Sequence, residues 1–556
     1  MTHVSRRRFL SKSAVTGGSL AGLALVPAAA RTAIADTPST PDPTASTIAP
    51  TAPGGTFGPI TVASGDRRYP DLVWGHNLRW VGTPDEIRVV GNADQVLQAV
   101  QDYVRAGKRI AVRAGGHCYE DFVTDSGVRA VIDVSLMKDV FYDPQYRAFV
   151  IEPGALLGDV YTKLYKGWGV TIPGGTCPTV GAGGHIVGGG YGALSRKHGL
   201  TVDHLYGIEV VVVDARGRAR KIVATREASD PNRDLWWAHT GGGGGNFGII
   251  TKYLMRSPGA KGSDPTTLLP QPPSQVILSS VSWSWSGMTE AAFTRLLRNF
   301  GQWCADNSSA TSPYASLFAQ LKPTHRSAGR FTMSTQIDAG LANAGTLLDD
   351  FLAAVNAGTG IDYSVDDRRL VSWQHAVTLW PGFTAPDTSA RFKAKSAYLR
   401  RGFPDDQIAA FWKNLTRTDY NGPMSVVMLT TFGGRINTVG GSDTVVAQRD
   451  SVQKLHYITF WYDQADDQAH LDWIREFYRD VYAATGGVPV SNDVTDGCFI
   501  GYADVDLNSP QWNTSGAPWH TLYYKDGYPR LQRVKAAYDP LNIFHHDQSI
   551  RLPSSS

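Results

Sequence analysis

Three side chains of this 556-residue chain stand out for the chemistry they could perform, each in a stretch that brings a ligand close. Cys177 lies in Gly174-Gly175-Thr176-Cys177-Pro178-Thr179-Val180-Gly181, and nearly half of the residues from Gly174 to Gly192 are glycine. Glycine loses the most conformational entropy on folding, so this density is costly unless the main chain must go where side chains cannot. The usual reason is close approach of peptide N–H groups to a flat or anionic ligand. His117 closes a similar turn, Arg113-Ala114-Gly115-Gly116-His117. Alone, the cysteine reads more readily as an inert buried thiol and the histidine as a satisfied surface residue. Together, at the tips of two glycine-rich loops, they are a pair of nucleophiles able to attack an electron-poor ring. The third is Tyr502, in Tyr502-Ala503-Asp504-Val505-Asp506-Leu507. Read as a strand, this places the phenol and both carboxylates on one face, bordering a polar site or solvent.

A second glycine cluster, Gly243-Gly244-Gly245-Asn246-Phe247-Gly248, satisfies G-x-G-x-x-G. A dinucleotide-binding unit needs a strand before it and a helix after it. Here a Trp-rich helix precedes and the β-branched run Ile249-Ile250-Thr251 follows, so a cradle for another phosphate or ring fits better. No phosphate-binding lysine of the nucleotide triphosphatase type follows. The cysteines, Cys118, Cys177, Cys304 and Cys498, match no zinc spacing and are too few for a disulfide framework, although two bridges are arithmetically open.

The elements that position these groups follow from periodicity. Val96, Ala99, Val100, Tyr103 and Val104 share a helical face begun at Asn92 and ended at Gly107. Strands are expected at 109–113, 130–134, 148–152 and 207–213, with helices at 156–166 and 234–238. Beyond residue 262 the glycine clusters thin out. Amphipathic helices marked by Phe293, Leu296, Leu297 and Phe300, and by Leu471, Ile474 and Phe477, alternate with strands. The fold class is α+β, with one domain built from both ends of the chain and a middle α/β domain on an antiparallel sheet.

The first 35 residues carry Arg6, Arg7, Arg8, Lys12 and Arg31 and no acid, an apolar run, and a small-residue cleavage site, Ala33-Ile34-Ala35. This is a twin-arginine export pattern, which implies passage through the twin-arginine translocase and secretion of a folded protein. The remainder is slightly acidic, which gives no footing for nucleic acid or an anionic membrane surface. No further run approaches the roughly 20 apolar residues of a membrane helix. Residues 36–56, rich in Pro, Thr and Ala, read as a linker; 57–261, 262–498 and 499–556 read as successive segments of the folded part.

The sequence resembles the berberine-bridge-enzyme-like oxidases, flavoproteins of the vanillyl-alcohol-oxidase or PCMH type. The resemblance rests on Arg113 to His117, Gly174 to Gly181, Gly188-Gly189-Gly190-Tyr191-Gly192, Asp203-His204, Gly241 to Gly248, Tyr502 to Leu507, and Tyr528-Pro529-Arg530-Leu531 through Phe544. It is greatest to the secreted actinobacterial branch that oxidises sugar hydroxyls. It implies FAD held by two covalent bonds, an 8α-N-histidyl link from His117 and a 6-S-cysteinyl link from Cys177. It also implies FAD contacts from Arg113, Ala114, Gly115, Gly116 and Cys118 on the first loop. The second stretch contributes Thr176, Val180, Gly181, Ala182, Gly183, Gly184, Gly188, Gly190, Tyr191 and Gly192. Gly244, Gly245, Asn246, Gly248, Ile250, Tyr502 and Asn542 complete the set. No metal is implied.

In this family the tyrosine matching Tyr502 acts as general base while the carbon-bound hydrogen leaves as hydride to flavin N5. A free phenol has a pKa of about 10, so work near neutrality needs a drop of roughly three units, or about 4 kcal/mol. Lys393 and Lys395 are the cations that motif position offers. Tyr191 either hydrogen-bonds near the base or walls the pocket. Relatives often have serine where this chain has Cys118, and some have a tyrosine where it has Phe432, so a second tyrosine-dependent oxidation is not expected. A small residue, Ala182, over the reactive side of the flavin favours O2 as acceptor and H2O2 as product. The expected substrate is a hydroxyl-bearing carbon of a sugar or glycosylated metabolite. Oxidative ring closure on an alkaloid or polyketide, and a carbohydrate-binding protein with non-catalytic flavin, are the rival readings.

Overall fold

A computed structural model describes residues 57–377 and 390–554. The export segment and linker expected over 1–56 lie outside the described residues. Among the described residues, sixteen strands form three sheets. In the first, β1 (Ile60–Ala63), β2 (Glu86–Val89), β3 (Ile110–Arg113) and β4 (Ala130–Asp133) take the order β1-β2-β4-β3, with β4 parallel to both neighbours. The second is antiparallel, with β5 (Val140–Asp143), β6 (Ala148–Ile151), β7 (Leu205–Val213), β8 (Ala219–Thr225) and β9 (Ile249–Met255) ordered β5-β6-β9-β7-β8. Helix Ala93–Arg105 serves both. Asn92 caps it by accepting from Gln95 N at 3.0 Å, and it buries Val96, Ala99, Val100 and Tyr103 in a core shared with Ile110, Ile132, Val211 and Ile249.

The third sheet has seven antiparallel strands: β10 (Gln275–Ser284), β11 (Phe318–Lys322), β12 (Arg330–Asp338), β13 (Ser364–Ser372), β14 (Arg391–Leu399), β15 (Ser425–Thr431) and β16 (Gln453–Trp461). Their order is β13-β10-β12-β11-β15-β16-β14. Helix Glu290–Asp306 buries Phe293, Leu296, Leu297 and Phe300, the face that periodicity marks. On helix Asp467–Val481, Ile474 and Phe477 are buried, but Leu471 sits at the rim and Trp473 and Tyr478 complete the face.

After the third sheet the chain returns to the glycine clusters. The Lys535 ammonium, fully buried, donates to Asn246 O at 2.6 Å, to the Asp539 carboxylate at 2.6 Å and to Phe544 O at 2.5 Å. Ile550 N donates to Asn246 Oδ1 at 2.7 Å and Tyr524 OH to Gly242 O at 2.9 Å. A loop of bare main chain is thereby clipped in place by side chains almost 300 residues away. All four cysteines are free thiols, which closes the disulfide alternative.

Candidate active site

The loop after β3, the two glycine clusters, one face of the third sheet and the C-terminal segment enclose a cavity of about 350 Å³; the next two cavities hold about 30 Å³ each. His117, Cys177, Tyr191 and Tyr502 all line it.

The glycines of its wall fall into two kinds. Some let main chains touch. A Cβ on Gly115 would lie 2.4 Å from Gly181 N, and one on Gly192 would lie 1.7 Å from Gly174 O. Others face open space. A Cβ on Gly184 would meet nothing within 4 Å, and one on Gly244 only Val187 at 3.8 Å, although both line the cavity. Bare peptide facing a long cavity suits the flat rings and phosphates of FAD, so the residues present fit the cofactor that the resemblance implies.

Arg113, Ala114, Gly115, Gly116, Cys118, Thr176, Val180, Gly181, Gly183, Gly184, Gly188, Gly192, Gly244, Gly245, Asn246, Gly248 and Ile250 line this cavity. Three expected residues do not. Ala182 is fully buried in the core because it opens the short helix Ala182–Val187 with its N–H on Ala155 O. Gly190 serves internal packing, since a Cβ there would strike Thr201 Oγ1 at 2.3 Å. Asn542 turns at φ +52°, its N–H on Asp539 O, outside the lining.

The nucleophile pair shares one hydroxyl. Thr179 Oγ1 lies 3.3 Å from Cys177 Sγ and 3.4 Å from His117 Nε2. His76 stacks on the His117 ring at 4.2 Å. Burial, with His76 adding to it, pulls the His117 pKa down to about 3, so the imidazole is neutral and nucleophilic. Burial has the opposite consequence at Cys118, whose thiol is pushed up to about 12 and stays protonated. Of the two cysteines on the cavity, only Cys177 sits beside the histidine's hydroxyl partner.

The strand expected at Tyr502 is absent. Residues Ile500–Tyr502 and Val505–Asn508 are 3-10 turns, because the Asp504 carboxylate accepts from Asp506 N at 3.1 Å and curls the chain. The two acids leave the phenol's side and join a buried charge cluster. Lys393 pairs with Glu120 and, at 2.7 Å, with Asp504; Lys395 bonds Asp504 and Asp506 at 2.8 Å each; Arg475 adds a contact to Asp506 at 2.8 Å. Lys393 and Lys395 are thus committed to acids.

The cation against the Tyr502 ring is instead Lys454, with Nζ 3.9 Å from its centroid, 4.2 Å from Phe499 and 5.4 Å from Tyr191. No carboxylate among the described residues forms a salt bridge with it. Burial pushes the Tyr502 phenol up and the Lys454 amine down. Three aromatic faces counter the second shift, because a ring quadrupole attracts an ammonium. A Tyr502 that loses its proton becomes the anion beside this amine, and each charge then favours the other.

His456 stacks on Tyr502 at 3.9 Å, and Tyr119 lies parallel to Tyr502 at 5.4 Å. Tyr191 donates its hydroxyl to Thr431 O, so its ring is a wall, packed 5.3 Å from Phe432. Lys454, His456, Tyr119, Gln320 and His185 are lining residues that the sequence reading did not select. The signal for the first two was present: Lys454 and His456 are alternate polar residues inside the apolar run Gln453–Trp461.

A cavity walled by main chain, with paired nucleophiles at one side and a half-buried phenol at another, defines a flavoprotein oxidoreductase site. Residues 84–222 match the family described as FAD binding domain, and residues 498–551 the family described as Berberine and berberine like. Aclacinomycin-N/aclacinomycin-A oxidase of Streptomyces galilaeus is 50% identical, over 100% of this chain and 99% of its own length. Hexose oxidase of Chondrus crispus is 34% identical, over 87% and 93%. The crystal structure of a glycopeptide hexose oxidase complexed with teicoplanin superposes with a TM-score of 0.84 at 50% identity, over 89% of this chain and 99% of that one. The chain belongs to the berberine-bridge-enzyme-like FAD-linked oxidases of the PCMH superfamily. It is an FAD-dependent oxidoreductase.

Proposed function

We propose that this protein oxidises a hydroxyl-bearing carbon of a sugar, oligosaccharide or glycosylated metabolite, and that O2 takes the electrons to give H2O2. The observation that carries the reading is the placement of Tyr502 on the cavity with Lys454 Nζ 3.9 Å over its ring. Bound FAD supplies the two-electron acceptor for the hydrogen leaving carbon. Tyr502, as phenolate, takes the proton of the substrate hydroxyl, and the Lys454 ammonium offsets the burial that opposes this charge. Tyr191, tied to Thr431 O, excludes water from that end. The activities in the relatives' names, on aclacinomycins, hexose and a glycopeptide, support a sugar or glycosylated substrate.

FAD is read as bicovalent, with His117 on the 8α-methyl and Cys177 on C6. The support is a neutral imidazole and a thiol on one cavity, joined through Thr179. Residues 57–261 and 499–556 are read as the FAD-binding part and 262–498 as the substrate-binding part. The export reading of residues 1–35 rests on sequence alone and gives a secreted enzyme with a new N-terminus at Asp36, which N-terminal sequencing of the exported protein checks.

The deciding experiment is anaerobic. Adding an oligosaccharide bleaches the flavin, and admitting air restores the colour with one H2O2 per cycle. Colour unchanged by every sugar overturns the oxidase reading for this substrate class; bleaching by an alkaloid or polyketide alone points to ring closure instead. Acid-precipitated protein that gives up its yellow colour overturns the covalent linkage.

A further inference from the structure

The sheet side of the cavity carries polar groups that the chemistry at Tyr502 does not use. Gln320 on β11 stands opposite Thr430 on β15, and Thr430 stands opposite Lys454 on β16. All three line the cavity and form one cross-strand row. His456, two residues beyond Lys454 on the same strand face, faces Met428 across the strand pair, and both line the cavity as well. Gln320 and His456 are each only 8% exposed, yet Gln320 Oε1 and His456 Nε2 have no hydrogen-bond partner. Leaving such atoms unsatisfied is costly, so a native protein rarely keeps two in one cavity without something to bind them.

From this we infer that Gln320, Thr430 and His456 form a recognition strip for a pyranose ring, holding hydroxyls other than the one being oxidised. The inference rests on the proposed alcohol oxidation and adds to it which hydroxyls are read. Position sets the order. His456 is stacked on Tyr502 at 3.9 Å, so it takes the hydroxyl on the carbon next to the reacting one. Gln320 lies two strand spacings from β16, about 10 Å, and with Thr430 takes a hydroxyl on the far side of the ring. Both side chains can donate and accept, as hydroxyls require. Phe318, Met428 and Tyr191, which also line the cavity, give the strip apolar flanks for the C–H faces of the sugar. A site built to hydrogen-bond a hydroxyl rejects the analogue lacking it, because its own polar groups are then left unpaired.

The test uses flavin-loaded protein and two glycosides that differ only by removal of the far-side hydroxyl. Calorimetric binding is measured in the Tyr502→Phe background, where turnover is disabled, and kcat/KM in the otherwise wild-type enzyme. Wild-type recognition favours the hydroxylated glycoside by roughly tenfold or more. Gln320→Leu erases that preference by weakening only the hydroxylated ligand, whereas Gln320→Glu, which keeps an acceptor, restores part of it. An unchanged flavin spectrum checks the fold of each variant. If the hydroxylated glycoside is oxidised but Gln320→Leu keeps the full preference, the strip is overturned and the oxidase reading stands. If the preference in binding follows Gln320 but no glycoside is oxidised, the strip stands and the oxidase reading falls. If no glycoside binds, both fall.

Discussion

The two long walls of the cavity are made of different material. The wall carrying His117 and Cys177 is largely main chain, with glycines either touching one another or facing the cavity bare. The wall opposite the tethers' loops is side chain, supplied by alternate residues of β11, β15 and β16. A main-chain wall binds what every peptide can bind and tolerates almost no substitution. A side-chain wall can be rewritten residue by residue, because each strand position changes one contact and leaves the hydrogen-bonded ladder intact. A chain built this way keeps its cofactor while its substrate preference drifts.

The sharpest way to break that contrast is to add a methyl group within the main-chain wall. In Gly192→Ala the new carbon falls 1.7 Å from Gly174 O, and the expected outcome is loss of soluble, flavin-loaded protein. Gly184→Ala in the same stretch meets no protein atom, so thermal unfolding of flavin-free protein stays near wild type while flavin retention falls. Equal stability loss in the two variants removes the distinction between touching and facing glycines. Next in size is Tyr502→Phe, which keeps the flavin spectrum and lowers kcat by about 10³-fold, within the range of a lost general base.

Lys454→Met is expected to act more mildly, through pH. Activity rises as Tyr502 loses its proton, and an ammonium beside the ring favours the phenolate. Removing it moves the rising limb of kcat to higher pH. A limb that stays put means that Lys454 shapes the pocket without tuning the phenol. The smallest expected effect is that of Thr179→Val, which leaves both tethers in place but slows their attachment severalfold, read as in-gel flavin fluorescence over time after FAD is added to flavin-free protein. Attachment at the wild-type rate removes the shared hydroxyl from the scheme.

The same contrast explains what could be read from sequence. The main-chain wall was legible because glycine density is contiguous, and His117 and Cys177 stand at its loop tips. The fold class and the helical faces of Phe293 and Ile474 were legible from periodicity. The side-chain wall was not, since Gln320, Thr430 and Lys454 become neighbours only through strand pairing across more than 130 residues. Tyr502 was found by motif, but its period-two surroundings misled, because one Asx turn at Asp504 outweighs strand alternation. The cation was misassigned for a related reason. Lys393 and Lys395 precede the motif on β14 but spend their charge on acids, which no linear pattern reveals. Ala182, expected over the flavin, begins a short helix that carries it into the core, outside the cavity lining.

The buried charge cluster ties together parts of the chain that lie far apart in sequence. Lys393 and Lys395, 1% and 2% exposed, face acids from two distant places, residue 120 and residues 504 and 506. Without the segment that carries residues 504 and 506, Lys395 lacks both of its acidic partners and Lys393 lacks Asp504. An ammonium stranded in an apolar interior costs several kcal/mol. Residues 504–506 and β14 therefore depend on each other to close this part of the interior. The ion pairs that neutralise β14 thereby also anchor the segment that carries Tyr502, at positions two and four residues beyond that tyrosine.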